Sequence, residues 1–344
     1  MTTETTASGK HFIHHHAAHC ETGVTSALLR DQGIDISEPL IFGIGSGIFF
    51  GHLPFIKIVG LPITTFRSQP GSIFRKAGKR LGVKFVTKRF RNPQKGMEEL
   101  RRVLREGNIV GLTVNIYWLS YFPRRFRFQF NGHNLIVLRE TVTGFRISDP
   151  VLEHPVDCLT EDLERARFAR GPLESHGFMY YLQRIPQTID IREACIAGIK
   201  DTCNMMLKIP LPILGIRGMR YLAKKIKSNP QKLGFDEACR HLANIVRMQE
   251  EVGTGGAGFR FMYAAFLQEA ADLFSSADLA RISVEMTSIG DLWRNFAVVS
   301  ARVIKQRGGL GDNIDKVSEL MQECAAREEK LFKNLQDVVR KLKA

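Results

Sequence analysis

The sequence predicts an α+β protein in two parts, in which strands alternate with helices first and helices alone follow. Short apolar runs such as Asn134–Leu138 have the composition of strands, and Phe178–Ile185 is the last of them. From about Asp190 onward the apolar residues recur at helical spacing. A chain of 344 residues with 44% hydrophobic content is long enough for two cores. We therefore expect one domain over residues 1–187 and a helical domain over residues 188–344.

The first predicted helix covers Thr22–Leu29, and Cys20 stands at its first turn. Peptide N–H groups are unpaired at a helix start, so they would favour a thiolate there and could donate to an oxyanion. A thiolate at this position is a candidate nucleophile. The alternative is that Cys20 is a small buried apolar residue, as free cysteines most often are.

The next elements alternate between helix and strand. Ser72–Val86 indicates a basic helix that leads into a strand. Asn92–Glu106 places apolar residues at helical spacing, and Gly107 provides a C-terminal stop. Val110–Tyr117 is then typical of a buried strand.

The segment that follows predicts another strand, because phenylalanine alternates with polar residues from Arg125 to Phe130. Arg124 and Arg125 lie in the loop before it, and a guanidinium fork matches phosphate oxygens, including those of a pantetheine arm. We therefore treat both arginines as candidate substrate-binding residues. The alternative is an edge strand with a solvated basic face.

A hairpin is predicted between Asn134–Leu138 and Phe145–Asp149. With a turn centred on Thr141, His133 faces Asp149, and opposed side chains are about 5 Å apart at Cβ. A carboxylate at that distance can hold an imidazole in one tautomer. A shift of the register by one residue would separate the two side chains, and the alternatives are a capped strand end for His133 and an Asp-Pro turn for Asp149.

The helical half contains two features that resemble other kinds of site. Leu207–Ile226 is apolar but broken by prolines and cations, which favours a solvated connector leading into a core helix over an interfacial lipid-binding segment. Gly253–Gly258 has the spacing G-x-G-x-x-G, but a helix precedes it where a nucleotide fingerprint needs a strand, so it predicts a helix break. Arg260 follows as a candidate substrate-binding residue, and the alternative is an ion pair between helices. Connectors are predicted at Pro210–Pro212, Asn229–Pro230 and Gly308–Gly309.

The net charge of +14 and the isoelectric point near 9.7 imply an anionic partner. The chain has no zinc-ligand spacing, RNA-binding aromatic motif or basic region leading into heptads, so nucleic acid is not expected. Acidic carrier proteins, phosphate-bearing substrates and anionic membrane surfaces are the favoured classes.

The cysteines and histidines bear on compartment and metal binding. Six cysteines without paired spacing, and no secretory signal, predict reduced thiols in the cytoplasm. The histidines between His11 and His19 lack an accompanying Cys or carboxylate pattern, so no metal is expected. His14 lies six residues before Cys20 and is a candidate to polarise a substrate carbonyl.

Taken together, the ordered motifs resemble a known family. The motifs are His19-Cys20, then Ser37-Glu38 leading to Phe42-Gly43-Ile44-Gly45-Ser46-Gly47, then Gly132-His133, and finally Asp149. They resemble the N-terminal domain of the butirosin biosynthesis protein H family, and Glu250–Gly256 with Phe259-Arg260 and Trp293 resembles the helical domain often fused to it.

This resemblance implies a papain-like cysteine fold that moves an acyl group from an acyl carrier protein to an amine. Cys20 would be the nucleophile, His133 the base and Asp149 the residue that orients it. His19 and Glu38, which lie in the matching motifs, become candidate substrate-binding residues. The glutamine that papain-like relatives carry shortly before the cysteine is missing, so the oxyanion donor is not identified.

Three functional hypotheses follow. The first is an acyltransferase with a small-molecule or lipid acceptor in a specialised-metabolite or lipid pathway, without a cofactor of its own because the donor would be carried on phosphopantetheine. The second is a cysteine peptidase or thioesterase, in which water replaces the acceptor. The third is a non-catalytic scaffold that binds a carrier protein or touches a membrane surface.

Overall fold

The computed structural model describes residues 2–58, 60–307 and 313–342. The strands of these residues are β1 (Thr2–Thr5), β2 (His11–His14), β3 (Ile48–Ile58), β4 (Leu61–Arg67), β5 (Lys84–Lys88), β6 (Val110–Val114), β7 (His133–Glu140), β8 (Gly144–Ser148), β9 (Val156–Leu159) and β10 (Met179–Arg184). The helices are α1 (Cys20–Asp31), α2 (Glu38–Ile44), α3 (Ser72–Arg80), α4 (Pro93–Arg105), α5 (Thr160–Arg167), α6 (Ile191–Leu207), α7 (Gly215–Leu233), α8 (Phe235–Glu250), α9 (Arg260–Phe274), α10 (Ala277–Ile304) and α11 (Ile314–Lys341). The predicted α+β class, with a sheet first and a helical region second, is confirmed.

The chain forms two compact units. The first unit contains residues 1–41 and 74–189, and the second contains residues 42–73 and 190–344. The predicted division into residues 1–187 and 188–344 stays a prediction, and the compact units differ from it in one respect, because residues 42–73 group with the helices of the second half.

The first unit is built on a six-stranded antiparallel sheet in the order β5-β10-β6-β7-β8-β9. Strand β7 at its centre is apolar on both faces. Leu135 and Val137 pack in one cluster with Leu100 of α4, whereas Ile136 packs in a second cluster with Val24 of α1. Because side chains alternate along a strand, α1 and α4 cover opposite faces of the sheet.

Most local predictions in the first unit are confirmed. A basic helix leads into a strand at α3 and β5, α4 ends before Gly107, and β6 and β10 lie within the predicted strands. The strand predicted over Arg125–Phe130 is wrong, because Arg124–Phe126 forms a short 3₁₀ turn and the following residues are irregular.

The second unit consists of α6 to α11 together with the two-stranded hairpin β3–β4. The connector predicted at Pro210–Pro212, which leads into a core helix, is confirmed, because it lies between the end of α6 at Leu207 and the start of α7 at Gly215. The connector predicted at Asn229–Pro230 is wrong, because α7 runs through it. Buried apolar residues at helical spacing hold α7 in place through Pro230, which lies in the last turn and removes one backbone hydrogen bond there. The predicted Gly308–Gly309 connector lies outside the described residues. None of the described helices is long and apolar enough to cross a membrane.

Candidate active site

Cys20 is the first residue of α1, and His19 precedes it as the N-cap in an extended backbone conformation. The Cys20 side chain is buried, with 8% of its surface exposed. The first peptide N–H groups of a helix have no partner within the helix, and their partial positive charge stabilises an anion at this end. The sulfur therefore stands where a thiolate is favoured.

Packing of α1 brings Cys20 to the sheet. A Cβ placed on Gly23 would lie 2.6 Å from Cβ of Ala17 and 2.9 Å from Cβ of Pro150. The Ala17 N–H also donates to the Pro150 carbonyl at 2.7 Å. The missing side chain at Gly23 thus lets the cysteine helix approach the segment that follows Asp149.

His133 begins β7, and Asp149 follows the last residue of β8. His133 Nε2 lies 2.7 Å from Asp149 Oδ2, and both side chains are buried. Tyr121 donates its hydroxyl to the same carboxylate oxygen at 2.8 Å, and the Val151 N–H donates to Oδ1 at 3.2 Å. A carboxylate held in this way accepts the Nε2–H proton, so Nδ1 is the ring nitrogen left for another partner.

The predicted contact between His133 and Asp149 is present, but the predicted register is wrong. Ile136 pairs with Ser148 and Val137 with Ile147, so the paired residue numbers sum to 284 and not to 282. The turn lies later than expected, where the Thr141 N–H donates to the Gly144 carbonyl. A shift by two leaves His133 and Asp149 on the same face as diagonal neighbours, within reach of each other's side chains.

The third member of the set, Cys20, contacts the same imidazole. Burial opposes a charge on His133, but the Asp149 carboxylate, its hydrogen bond and a hydrogen bond with Cys20 together raise the pKa of His133 to about 10. The ring of Phe122 packs edge-on against the imidazole, with the centroids 5.8 Å apart. The structure therefore brings Cys20, His133 and Asp149 into one connected arrangement, with the imidazole in the middle.

Asn134 is a site residue that sequence reasoning missed. Its Nδ2 lies 3.8 Å from Cys20 Sγ and 3.1 Å from the Gly132 carbonyl oxygen. Its Oδ1 accepts from Thr113 Oγ1 at 3.1 Å and from Tyr180 Oη at 3.2 Å, which fixes the amide with its N–H groups toward the sulfur. The available signal was an asparagine at the start of the apolar run Asn-Leu-Ile-Val-Leu, because a buried amide requires partners.

His14 and Glu38 support the site and are not free to contact a substrate as predicted. The two His14 ring nitrogens lie 2.8 Å from Ser148 Oγ and 2.9 Å from the Leu152 carbonyl oxygen, which braces the backbone on both sides of Asp149. Burial lowers the pKa of His14, which favours the neutral ring. Glu38 accepts from the N–H groups of Ala18 at 3.0 Å and His19 at 2.7 Å, and so holds the residues that lead into α1.

His19 has a related local role. Its Nδ1 lies 2.9 Å from Thr22 Oγ1, and Thr22 in turn donates to Glu38 at 2.9 Å. The ring is buried. These contacts organise the first turn of α1, and they replace the predicted contact with substrate.

Arg124 and Arg125 are exposed on their short 3₁₀ turn, where they remain available to an anionic ligand. The turn belongs to the loop that starts near Tyr121, the residue that donates to Asp149. Arg127 braces the loop by donating to the carbonyls of Phe122 at 2.6 Å and Ser120 at 2.8 Å. The two arginines thus stay predicted substrate-binding residues.

The prediction that Arg260 binds substrate is wrong. Its side chain is fully buried in the second unit and forms a two-pronged ion pair with Glu328, at 2.8 and 3.0 Å. Trp293 Nε1 donates to the same carboxylate at 2.6 Å. A buried charge needs such partners, so the alternative interpretation of Arg260 as an ion pair between helices is the correct one.

Two parts of the chain match known protein families. Residues 19–150 match the family described as butirosin biosynthesis protein H, N-terminal. Residues 161–335, half of the chain, match the family described as a domain of unknown function, DUF4872. The chain belongs to this DUF4872 family, with a butirosin biosynthesis protein H type segment before it.

A solved structure from Bacillus anthracis, described as a C39-like peptidase, is similar over 54% of this chain and all of its own, at 18% identity and a TM-score of 0.34. Among proteins with curated functions, no match to the chain was found.

Proposed function

We propose that this protein is a cysteine acyltransferase, in which Cys20 takes an acyl group from the thioester of an acyl carrier protein and passes it to an amine or hydroxyl acceptor. The observation that carries the proposal is the buried hydrogen-bonded connection from Cys20 through His133 to Asp149. The match to a biosynthesis protein family supports transfer in a biosynthetic pathway.

The first half of the reaction uses the thiolate and the imidazolium as a pair. Cys20 Sγ attacks the thioester carbonyl carbon, and the new C–S bond pushes the carbonyl electrons onto oxygen. When the carbonyl re-forms, the bond to the pantetheine sulfur breaks and His133 gives that sulfur its proton. Helix α1 N–H groups and the Asn134 amide are the donors that would stabilise the transient oxyanion.

The second half reverses the roles. Neutral His133 takes the proton from the acceptor nitrogen or oxygen as that atom attacks the acyl carbon, and the Cys20 thiolate leaves. Asp149 holds the Nε2–H, so Nδ1 points at the reacting atoms throughout.

The basic surface suits a carrier protein as the donor. Exposed Tyr117, Trp118 and Phe126 lie in the same loop region as Arg124 and Arg125. Carrier proteins are generally acidic, and arginines with aromatic neighbours are enriched at binding surfaces. This region is the proposed docking site, and its arginines would receive the phosphate of the pantetheine arm.

Intact-protein mass spectrometry after incubation with acyl-pantetheine thioesters tests the proposal. The wild-type protein should gain the mass of one acyl group, and Cys20→Ala should gain none. Cys158→Ala is the matched control, because burial raises the pKa of Cys158 to about 12 and keeps it a thiol. An adduct that survives in Cys20→Ala, or no adduct in the wild type, would contradict the proposal.

A second measurement separates transfer from hydrolysis. Addition of an amine acceptor to the acylated protein should release an amide product in proportion to acceptor. Release of free acid at a rate that does not depend on the acceptor concentration would identify a thioesterase or peptidase. An acyl-enzyme that never forms would leave the scaffold hypothesis.

A further inference from the structure

The hairpin β3–β4 of the second unit carries large apolar side chains into solvent. Phe55 is 71% exposed, Ile56 44% and Ile58 39%. Single exposed apolar residues are ordinary, but three within four positions of one hairpin tip form a patch that a monomeric protein rarely leaves uncovered. The patch therefore points to a binding partner.

A bulge creates this exposure. Leu53 pairs with Ile63 and Lys57 pairs with Pro62, so residues 54–56 of β3 stand opposite a single step of β4. Extra residues in one strand leave the ladder and re-aim their side chains, and such bulges are usually retained for a purpose. The backbone thus directs Phe55 and Ile56 away from the hairpin.

The lower part of the same hairpin is firmly held by the helices of its unit. The His52 N–H donates to the Ile213 carbonyl at 2.9 Å, and the His52 ring lies 2.9 Å from Thr64 Oγ1 across the hairpin. Asn244 of α8 donates to the Pro62 carbonyl at 3.1 Å. The base of the hairpin is therefore fixed, so its apolar tip, formed by Phe55, Ile56 and Ile58, does not have to fold in order to bind.

Basic residues lie at the apolar tip and on α7 beside the hairpin. Lys57 is exposed at the tip itself. Helix α7, which runs beside the hairpin, contains six basic residues and no acidic one, namely Arg217, Arg220, Lys224, Lys225, Lys227 and Lys232. Arg220 pairs with Glu329 and Lys227 with Asp315, both at the protein surface.

A second pair of exposed apolar side chains lies at the end of α7. Leu233 and Phe235, on either side of the turn into α8, are 44% and 41% exposed. Helix α8 begins at Phe235 and reaches Asn244, the hairpin contact, about 14 Å further along its axis. The second unit therefore combines two exposed apolar groups with a lysine-rich helix.

We propose that the β3–β4 tip docks this protein on an anionic lipid bilayer, with Phe55, Ile56 and Ile58 in the interfacial layer and the lysines at the headgroups. Aromatic and aliphatic side chains framed by lysine are the composition of interfacial membrane anchors. Lysine is depleted from the cores of protein–protein interfaces, so Lys57 in the middle of the patch favours lipid over a protein partner. The net charge of +14 also favours binding to an anionic bilayer.

Vesicle co-sedimentation of the full chain tests the inference, with vesicles of phosphatidylcholine alone or mixed with phosphatidylserine. We expect binding to the mixed vesicles only, and a loss of about tenfold or more in Phe55→Ser/Ile56→Ser. The Lys224→Glu/Lys225→Glu variant should bind the mixed vesicles about fivefold or more weakly than the wild type. Added salt should reduce that difference in binding. Val284→Ser/Val298→Ser, on exposed positions of α10, is the matched control and should bind like the wild type.

Several results would overturn the inference. They are absence of binding to the mixed vesicles, equal binding by the hairpin variant, and equal loss in the α10 control. Sedimentation equilibrium tests whether the patch instead binds a second copy of the chain. A wild-type dimer that dissociates in the hairpin variant would assign the patch to that second copy. Unfolding curves should coincide for the wild type, Phe55→Ser/Ile56→Ser and the α10 control, since the side chains replaced in these variants are exposed. The readout requires no acyl donor, so it is independent of the chemistry proposed for Cys20.

Discussion

At the residue scale, the chemistry depends on which nitrogen of His133 meets which partner. Asp149 holds Nε2 at 2.7 Å, and Tyr121 and Val151 hold Asp149 in turn. The imidazole therefore cannot rotate without breaking a buried network, and its other nitrogen is directed to the sulfur. This orientation and the raised pKa of His133 together support the thiolate–imidazolium pair used in the proposed mechanism.

The raised pKa of His133 leads to a prediction for the pH profile of acylation. Asp149 contributes a negative charge that favours the protonated ring, so the alkaline limb of kcat/KM should lie near pH 10. Asp149→Asn removes that charge, lowers the pKa of His133 and should move the limb to lower pH. Rates of acylation measured across pH for both proteins check this, and an unmoved limb would show that another group controls it.

His133→Ala tests the role of the ring itself. General acid–base assistance is worth about 10² to 10⁴ in rate, so this variant should lose activity in that range. Single-turnover acylation of the variant is the measurement, and His154→Ala is a control histidine of the same unit. A loss smaller than tenfold would argue against His133 as the group that gives its proton to the leaving sulfur during acylation.

Asn134 should matter through its N–H group. Asn134→Asp keeps the shape, replaces a donor by a carboxylate and faces the sulfur with negative charge. We expect kcat/KM to fall by about 10² to 10³, the value of an oxyanion donor. The rate of Cys20 alkylation by iodoacetamide should fall as well. Thr113→Val, which removes a hydrogen bond to the far side of the same amide, should cost less, and the reverse order would assign Asn134 to packing alone.

At the element scale, the site exists because α1, the start of β7 and the end of β8 converge. Gly23 permits the approach of α1 to Pro150, and Glu38 and His14 brace the chain on both sides. None of these three residues contacts the reacting atoms in the proposed mechanism. Their effect is on position, and catalytic rates are sensitive to displacements of about 1 Å.

Gly23→Ala tests that convergence. The added Cβ would lie 2.6 Å from Cβ of Ala17 and 2.9 Å from Cβ of Pro150, so α1 must shift and acylation should slow by about tenfold or more. Ala17→Gly removes one of the two clashes, and the double variant should recover part of the rate. Single-turnover acylation at matched stability is the readout. If Gly23→Ala acylates at the wild-type rate, the close approach is not required.

At the scale of the whole molecule, charge should control the encounter with the donor. Screening at high salt acts on the association of two oppositely charged proteins and little on a buried reaction centre. Acylation by carrier-bound thioester should therefore slow with salt much more than acylation by a short pantetheine thioester. Arg124→Glu/Arg125→Glu should weaken this difference, and Arg105→Glu, at an exposed position on α4, should not. Equal salt dependence of both donors would count against carrier docking.

Local patterns were good predictors where one face of an element is buried. The apolar spacing of α4 and the continuous apolar run of β7 predicted both elements, because each packs in the core of the first unit. The pattern failed where packing overrides a local signal. Helix α7 continues through Pro230, and the residues after Arg125 form no strand, since Phe128 and Phe130 pack against the core of the first unit from an irregular segment.

By itself, the sequence determined the two-part order of the chain, with a sheet first and helices second, the basic character of the surface and the residues Cys20, His133 and Asp149 as candidates, because these depend on composition and on neighbours along the chain. Only the tertiary structure decided the hairpin register, the contact of Asn134 with the sulfur, the burial of Arg260 and the grouping of residues 42–73 with the second unit. The physical reason is that these features depend on side chains far apart in sequence meeting at close range. Such distances are set by packing of the folded chain, which no local pattern encodes.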